Sequence, residues 1–135
     1  TIEMEENNNI CLLHCISIYP PETSTIRLKN ILGLREEFPN YPIGFSDHSI
    51  GAEIATAAVA FGACMIEKHF TLDKTKIGMD NQMASEPNEM QLLVQNCHNE
   101  TETHSITIQY GHFNKINPIC DILAGLTLKI AMDCI

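Results

Sequence analysis

Apolar positions along this chain alternate between unbroken runs and helical spacing, in a repeating order. Ile10-Cys11-Leu12-Leu13-His14-Cys15-Ile16 is a nearly continuous apolar run closed by Tyr19-Pro20-Pro21, as expected of a strand covered on both faces. From Thr25 the spacing changes: Leu28, Ile31, Leu34 and Phe38 fall three or four apart, with Arg27, Lys29, Arg35 and Glu36 between them. This predicts an amphipathic helix that stops before Pro39. Ile43-Gly44-Phe45-Ser46 reads as a second strand. Gly51 to Gly62, with Ala at 52, 55, 57, 58 and 60, reads as a second helix, small enough in its side chains to pack closely on a sheet and stopped by Gly62. Cys64 to Phe70 is a third strand. After a polar loop, Pro87 fits the first turn of a third helix, with Glu89 in that turn and Met90, Leu93, Val94 and Cys97 on one face.

Three consecutive strand-helix units with short connections imply parallel strands joined by right-handed crossovers, an α/β fold. Periodicity alone leaves a doubly wound sheet and a TIM-type (β/α)8 barrel both open. Polar residues at every strand end suit a barrel whose working face is the C-terminal side of its strands. Three units cannot close a barrel, and alone they would expose strand edges and one face of the sheet. The chain also opens on a polar run without an initiating Met. The expectation is therefore part of a longer protein, with residues 1–98 forming the C-terminal portion of a barrel and 99–135 a tail of no assigned fold.

Composition narrows the function. The chain has 135 residues, 44% of them hydrophobic, enough for one domain with its own core. A formal net charge of -9 disfavours nucleic acid, which is bound chiefly through Lys and Arg at phosphates. The six cysteines include no C-x-x-C pair, which fits reduced thiols in a cytoplasmic setting. The apolar stretch from Ile119 to Ile135 is interrupted by Asp121, Lys129 and Asp133 and is shorter than the ~20 residues of a membrane span. No membrane association is expected. Neither a phosphate-binding glycine loop nor a serine-hydrolase elbow is present.

Chemistry gathers at the strand ends. Because side chains alternate along a strand, Ser46 and His48 share one face and Asp47 takes the other. The same rule groups Glu67 with His69, and Cys15 with Ser17 and Tyr19. Two imidazoles beside a carboxylate, with positions left open, suit a Lewis-acid site for Mn²⁺, Mg²⁺ or Zn²⁺. The competing reading makes each imidazole a hydrogen-bonded core residue. Ser46, just ahead of the Ala-rich helix, suits a phosphate at a positive helix end or, equally, a capping role. Asp80 lies in a loop expected to sit over the same face. His14, on the outward side of its strand, and His98, His104 and His112 are expected to be structural.

Leu12-Leu13-His14-Cys15 with Tyr19-Pro20, Gly44-Phe45-Ser46-Asp47-His48-Ser49-Ile50-Gly51, the segment from Ala63 to Leu72, Gly78-Met79-Asp80 and Ser85-Glu86-Pro87 together resemble the sialic acid synthase family. The resemblance covers about residues 8–97 and corresponds to the last three strands of that family's barrel. It implies condensation of phosphoenolpyruvate with an N-acetylated amino sugar of the N-acetylmannosamine type, giving a nonulosonic acid and inorganic phosphate. By the same resemblance, His48 and His69 are the metal ligands (Mn²⁺ or Mg²⁺), and Glu67 and Tyr19 are the catalytic residues. Ser46, Ser17, Tyr19 and Asp80 bind substrate, with Ser46 at the phosphate. It also implies a homodimer for the complete protein. A legionaminic or pseudaminic acid synthase, or a catalytically incomplete chain that only binds metal, are the alternatives. Ser17 stands where some members have Asn, and Asn81 where many have His, which leaves the sugar open.

Overall fold

The computed structural model describes residues 10–78, 80–103 and 127–132, with backbone alone for 102–103 and 127–132. Strand β1 (Leu12–Cys15) leads through a 3-10 turn (Thr23–Thr25) to helix α1 (Lys29–Glu37). Then follow β2 (Ile43–Asp47), α2 (Glu53–Ala60), β3 (Met65–Phe70), α3 (Pro87–Thr103) and β4 (Thr127–Met132). The strands form one sheet of four in the order β1-β2-β3-β4, and each neighbouring pair is parallel. The expected three strand-helix units are all present, in an α/β arrangement.

The core lies between the sheet and its helices. Ile43 and Phe45 of β2 and Ile66 of β3 are buried with Ile31 of α1, Ala55, Ala58 and Val59 of α2, and Leu93 and Cys97 of α3. Alternation sends Leu13, Gly44 and Met65 to the opposite face. There Gly44 has no room for a side chain: a Cβ would stand 2.5 Å from Leu13 Cδ2 and 2.6 Å from the Met65 carbonyl. Glycine at the second position of β2 thus lets its neighbours close over it.

Two helix boundaries differ from the pattern in the sequence, each for a local reason. Helix α1 begins at Lys29 rather than Thr25. The Thr25 N–H and hydroxyl both bond the Glu22 carbonyl, at 2.8 and 2.7 Å, closing the 3-10 turn instead, and β-branched Thr25 and Ile26 add little helical preference. Helix α2 begins at Glu53 because Gly51 has φ +86. Its end is as expected. Gly62, at φ +90, donates to the Val59 carbonyl at 2.8 Å while Ala63 donates to Ala58 at 3.0 Å, a Schellman closure.

Helix α3 continues to Thr103, past the boundary expected at residue 98. From the tail, β4 joins β3 in a register running from Met65↔Thr127 to Phe70↔Met132. No described helix is long and apolar enough to cross a membrane.

Candidate active site at the strand tips

Register sets the level of the site. Cys15 lies opposite Ser46, and Ser46 opposite Glu67, so the polar ends of three adjacent strands stand side by side. The Ser46 hydroxyl donates to Glu67 Oε1 at 3.0 Å and lies 3.4 Å from His48 Nε2. His48 Nδ1 is 2.9 Å from the Ile16 carbonyl. A carbonyl can only accept, so Nδ1 is the donor there, and in the neutral form of the ring the lone pair is at Nε2. Cys15 Sγ sits 3.9 Å from the same Nδ1 and 3.8 Å from the Ser17 hydroxyl.

The rings complete the cluster. The centroids of His48 and His69 are 5.5 Å apart. Tyr19 stacks on His48 at 4.1 Å and meets His69 edge-on at 5.5 Å, so one phenol touches both imidazoles. Ser46 is buried, His48, Glu67 and His69 are half-buried, and Tyr19 is exposed. The cluster therefore opens to solvent on the Tyr19 side. Ser17, Tyr19, Ser46, His48, Glu67 and His69 are thus brought together.

Asp80 is placed differently. Its carbonyl accepts from Met83 and Ala84 at 3.1 and 3.2 Å, hydrogen bonds that stay within its own loop. That loop leaves and rejoins the sheet at one point: Thr71 N–H bonds the Ser85 carbonyl at 3.0 Å and Ser85 N–H bonds the His69 carbonyl at 2.8 Å. Inside it, buried Asn81 donates through Nδ2 to the Asp73 and Lys76 carbonyls at 2.7 and 2.8 Å. Asn81 pins the loop that follows His69.

Beneath the tips, on the helix-facing side, lies a network whose partners sequence alone does not pair. Lys68 Nζ donates to Asp47 Oδ2 at 2.7 Å and to the Ser49 carbonyl at 2.6 Å. Asp47 Oδ1 accepts from the Ser49 N–H and hydroxyl at 2.9 and 2.7 Å. Lys68 and Asp47 are 2% and 1% exposed, so the charges satisfy one another away from water. The available signal was a charged residue within each otherwise covered strand, beside each histidine.

His14 lies on this same side, buried against Phe45 at 5.7 Å between ring centroids, the structural placement expected of it. Its Nε2 makes no hydrogen bond among the described residues, and burial holds the imidazole below its ordinary value of 6.5. Burial likewise pushes the Cys97 thiol up to about 11, so it packs as a small apolar group.

Residues 1–108 match the NeuB family, a span that includes every residue of the cluster. The chain belongs to that family. The match agrees with the family expected from the strand-tip motifs and reaches beyond residues 8–97 on both sides. The N,N'-diacetyllegionaminic acid synthase of Campylobacter jejuni is 46% identical over 88 residues, covering 65% of this chain and 26% of that protein. Human N-acetylneuraminate-9-phosphate synthase is 44% identical over 88 residues, covering 65% of this chain and 24% of its own length. Among solved structures, the sialic acid synthetase of Leptospira borgpetersenii, crystallised with citrate, superposes with a TM-score of 0.68 at 40% identity, over 72% of this chain and 34% of that one. The chain thus spans about a quarter of the length of the curated relatives it matches.

Proposed function

We propose that this NeuB-family chain forms the metal- and substrate-holding arc of a (β/α)8 barrel in a phosphoenolpyruvate-dependent nonulosonic acid synthase. The second substrate is the open-chain aldehyde of an N-acetylated amino sugar of the N-acetylmannosamine type. The convergence of His48 and His69 at 5.5 Å between ring centroids, with Nδ1 of His48 engaged by the Ile16 carbonyl so that Nε2 is the nitrogen left to bind, is the observation that carries this reading. At that centroid separation two imidazoles can reach one divalent cation through nitrogen-metal bonds of about 2.1 Å. Among the described residues no group of three or more His, Cys, Asp or Glu could hold a metal ion, so the two rings would be the chain's ligands and the other positions would fall to substrate and water. The Ile16 carbonyl supplies the outer hydrogen bond that fixes the ring and its tautomer. His48 and His69 would hold Mn²⁺ or Mg²⁺. When bound, the ion polarises the aldehyde oxygen as a Lewis acid.

The chain's own residues do the rest. Tyr19 lies across both rings and would form a wall against the sugar, limiting water beside the reacting carbons. Glu67, level with Ser46, would accept hydrogen bonds from sugar hydroxyls, orienting the aldehyde carbon for attack by C3 of phosphoenolpyruvate. Ser46, whose hydroxyl donates a hydrogen bond to Glu67 here, would turn that O–H to a phosphate oxygen, with Ser17 at the mouth of the pocket and Asp80 approaching from its loop. A carbon-carbon bond forms between C3 and the aldehyde carbon, water adds at C2, and C2–O cleavage releases inorganic phosphate.

Whether the sugar leads to N-acetylneuraminic, legionaminic or pseudaminic acid is decided by groups facing its substituents. The test is phosphate release from phosphoenolpyruvate with Mn²⁺, by protein carrying this chain, with N-acetylmannosamine and its 2,4-diacetamido analogue offered in turn. Release with either sugar, lost in a His48→Ala/His69→Ala variant, supports the proposal. Release that survives the double substitution overturns it.

A further inference from the structure

His48 and His69 rise from two different strands, so their separation depends on how those strands are held. The strands are tied directly below them. Asp47 and Lys68 face each other in the β2–β3 register, and their side chains meet at 2.7 Å on the covered side of the sheet. Lys68 also reaches the Ser49 carbonyl, and Ser49 returns two hydrogen bonds to Asp47. Residues 47 and 49 are thereby locked on either side of His48. Lys68 is itself the residue between Glu67 and His69.

We infer that Asp47, Lys68 and Ser49 form a buried strut that positions the two imidazoles, holding the strand tips at the spacing a shared cation needs. This rests on the proposed metal site, but the strut itself can be tested without metal. An apolar pair of similar volume would fill the same space, and replacing a buried ion pair in that way is often neutral for stability. What an apolar pair lacks is direction. The charged pair, with its three hydrogen bonds into Asp47, allows one arrangement of the tips, whereas methylene packing tolerates sliding. All three are positioning residues, since none faces the cluster of rings.

The experiment compares wild-type protein, Asp47→Leu/Lys68→Met, and the milder Ser49→Ala, which removes one of the three hydrogen bonds to Asp47. First, in metal-free protein, ring-nitrogen NMR reports whether His48 Nδ1 stays protonated and protected by the Ile16 carbonyl. Second, calorimetric titration with Mn²⁺ gives the affinity. The strut predicts that a cooperatively melting double variant loses the protected Nδ1–H and binds Mn²⁺ about 10- to 100-fold more weakly, the usual cost of removing support behind metal ligands. Ser49→Ala should shift both readouts in the same direction by less, and it decides the matter where the double variant does not fold. An unchanged His48 tautomer with unchanged affinity would overturn the inference. Failure of the wild type to bind Mn²⁺ would instead sink the metal reading, while the NMR comparison still judges the strut.

Discussion

Single residues show how little freedom the site's support has. Gly44 is held to glycine by contacts of 2.5 and 2.6 Å awaiting any Cβ. Gly44→Ala should therefore destabilise the protein by about 1–3 kcal/mol through overpacking, read from urea unfolding. His14 gives a pH signature. Burial lowers its folded pKa below 6.5, so the folded state takes up its proton later than the unfolded one. The associated stability is present above that pH and is lost as the pH falls from 6.5 through the folded value. Unfolding curves at pH 7.5 and 5.5 should show wild type losing more stability than His14→Gln; equal losses would show that His14 is not the linked group. Among the candidate site residues, His48, His69, Glu67 and Ser46 were legible because strand alternation puts them on one face. The Asp47–Lys68 partnership was not, since it joins positions 21 apart through a register that no local pattern specifies. The Ile16 carbonyl that orients His48 was hidden for another reason: backbone acceptors have no signature in sequence.

At the scale of elements, strand positions were legible because β1, β2 and β3 are short apolar runs, while helix starts were not. Thr25 and Gly51 each place a local turn where hydrophobic spacing alone implies helix. In the tail, β4 carries its own period, with Leu128, Ile130 and Met132 alternating with Thr127, Lys129 and Ala131. The longer apolar stretch around it obscures that alternation. Two substitutions test the helix account. Gly33 lies inside α1 with open space for 4 Å around the position a Cβ would take, so Gly33→Ala should raise stability by about 0.5–1 kcal/mol. At the start of α3, Glu89 Oε2 accepts from the Glu86 N–H at 2.8 Å, and its Oε1 binds Lys74 at 2.6 Å. Glu89→Ala removes this cap on the Glu86 N–H and should cost about 1 kcal/mol, measured by the same unfolding assay. Because Lys74 belongs to the loop that follows His69, faster proteolysis of residues 71–85 should accompany that loss.

Over the whole molecule, one sheet separates two kinds of chemistry. Its helix-facing side holds the apolar core and the Asp47–Lys68–Ser49 network. The other side ends in the cluster of Tyr19, His48, Glu67 and His69, and β2 and β3 supply both sides through the alternation of Ser46 with Asp47 and of Glu67 and His69 with Lys68. The NeuB family match and the proposed synthase chemistry meet at that cluster. The most direct measurement is calorimetric titration of Mn²⁺ into this chain and into its His48→Ala/His69→Ala variant. The proposed function predicts one ion bound per chain by the wild type, with affinity lost in the variant. Equal affinity in the two proteins would contradict it.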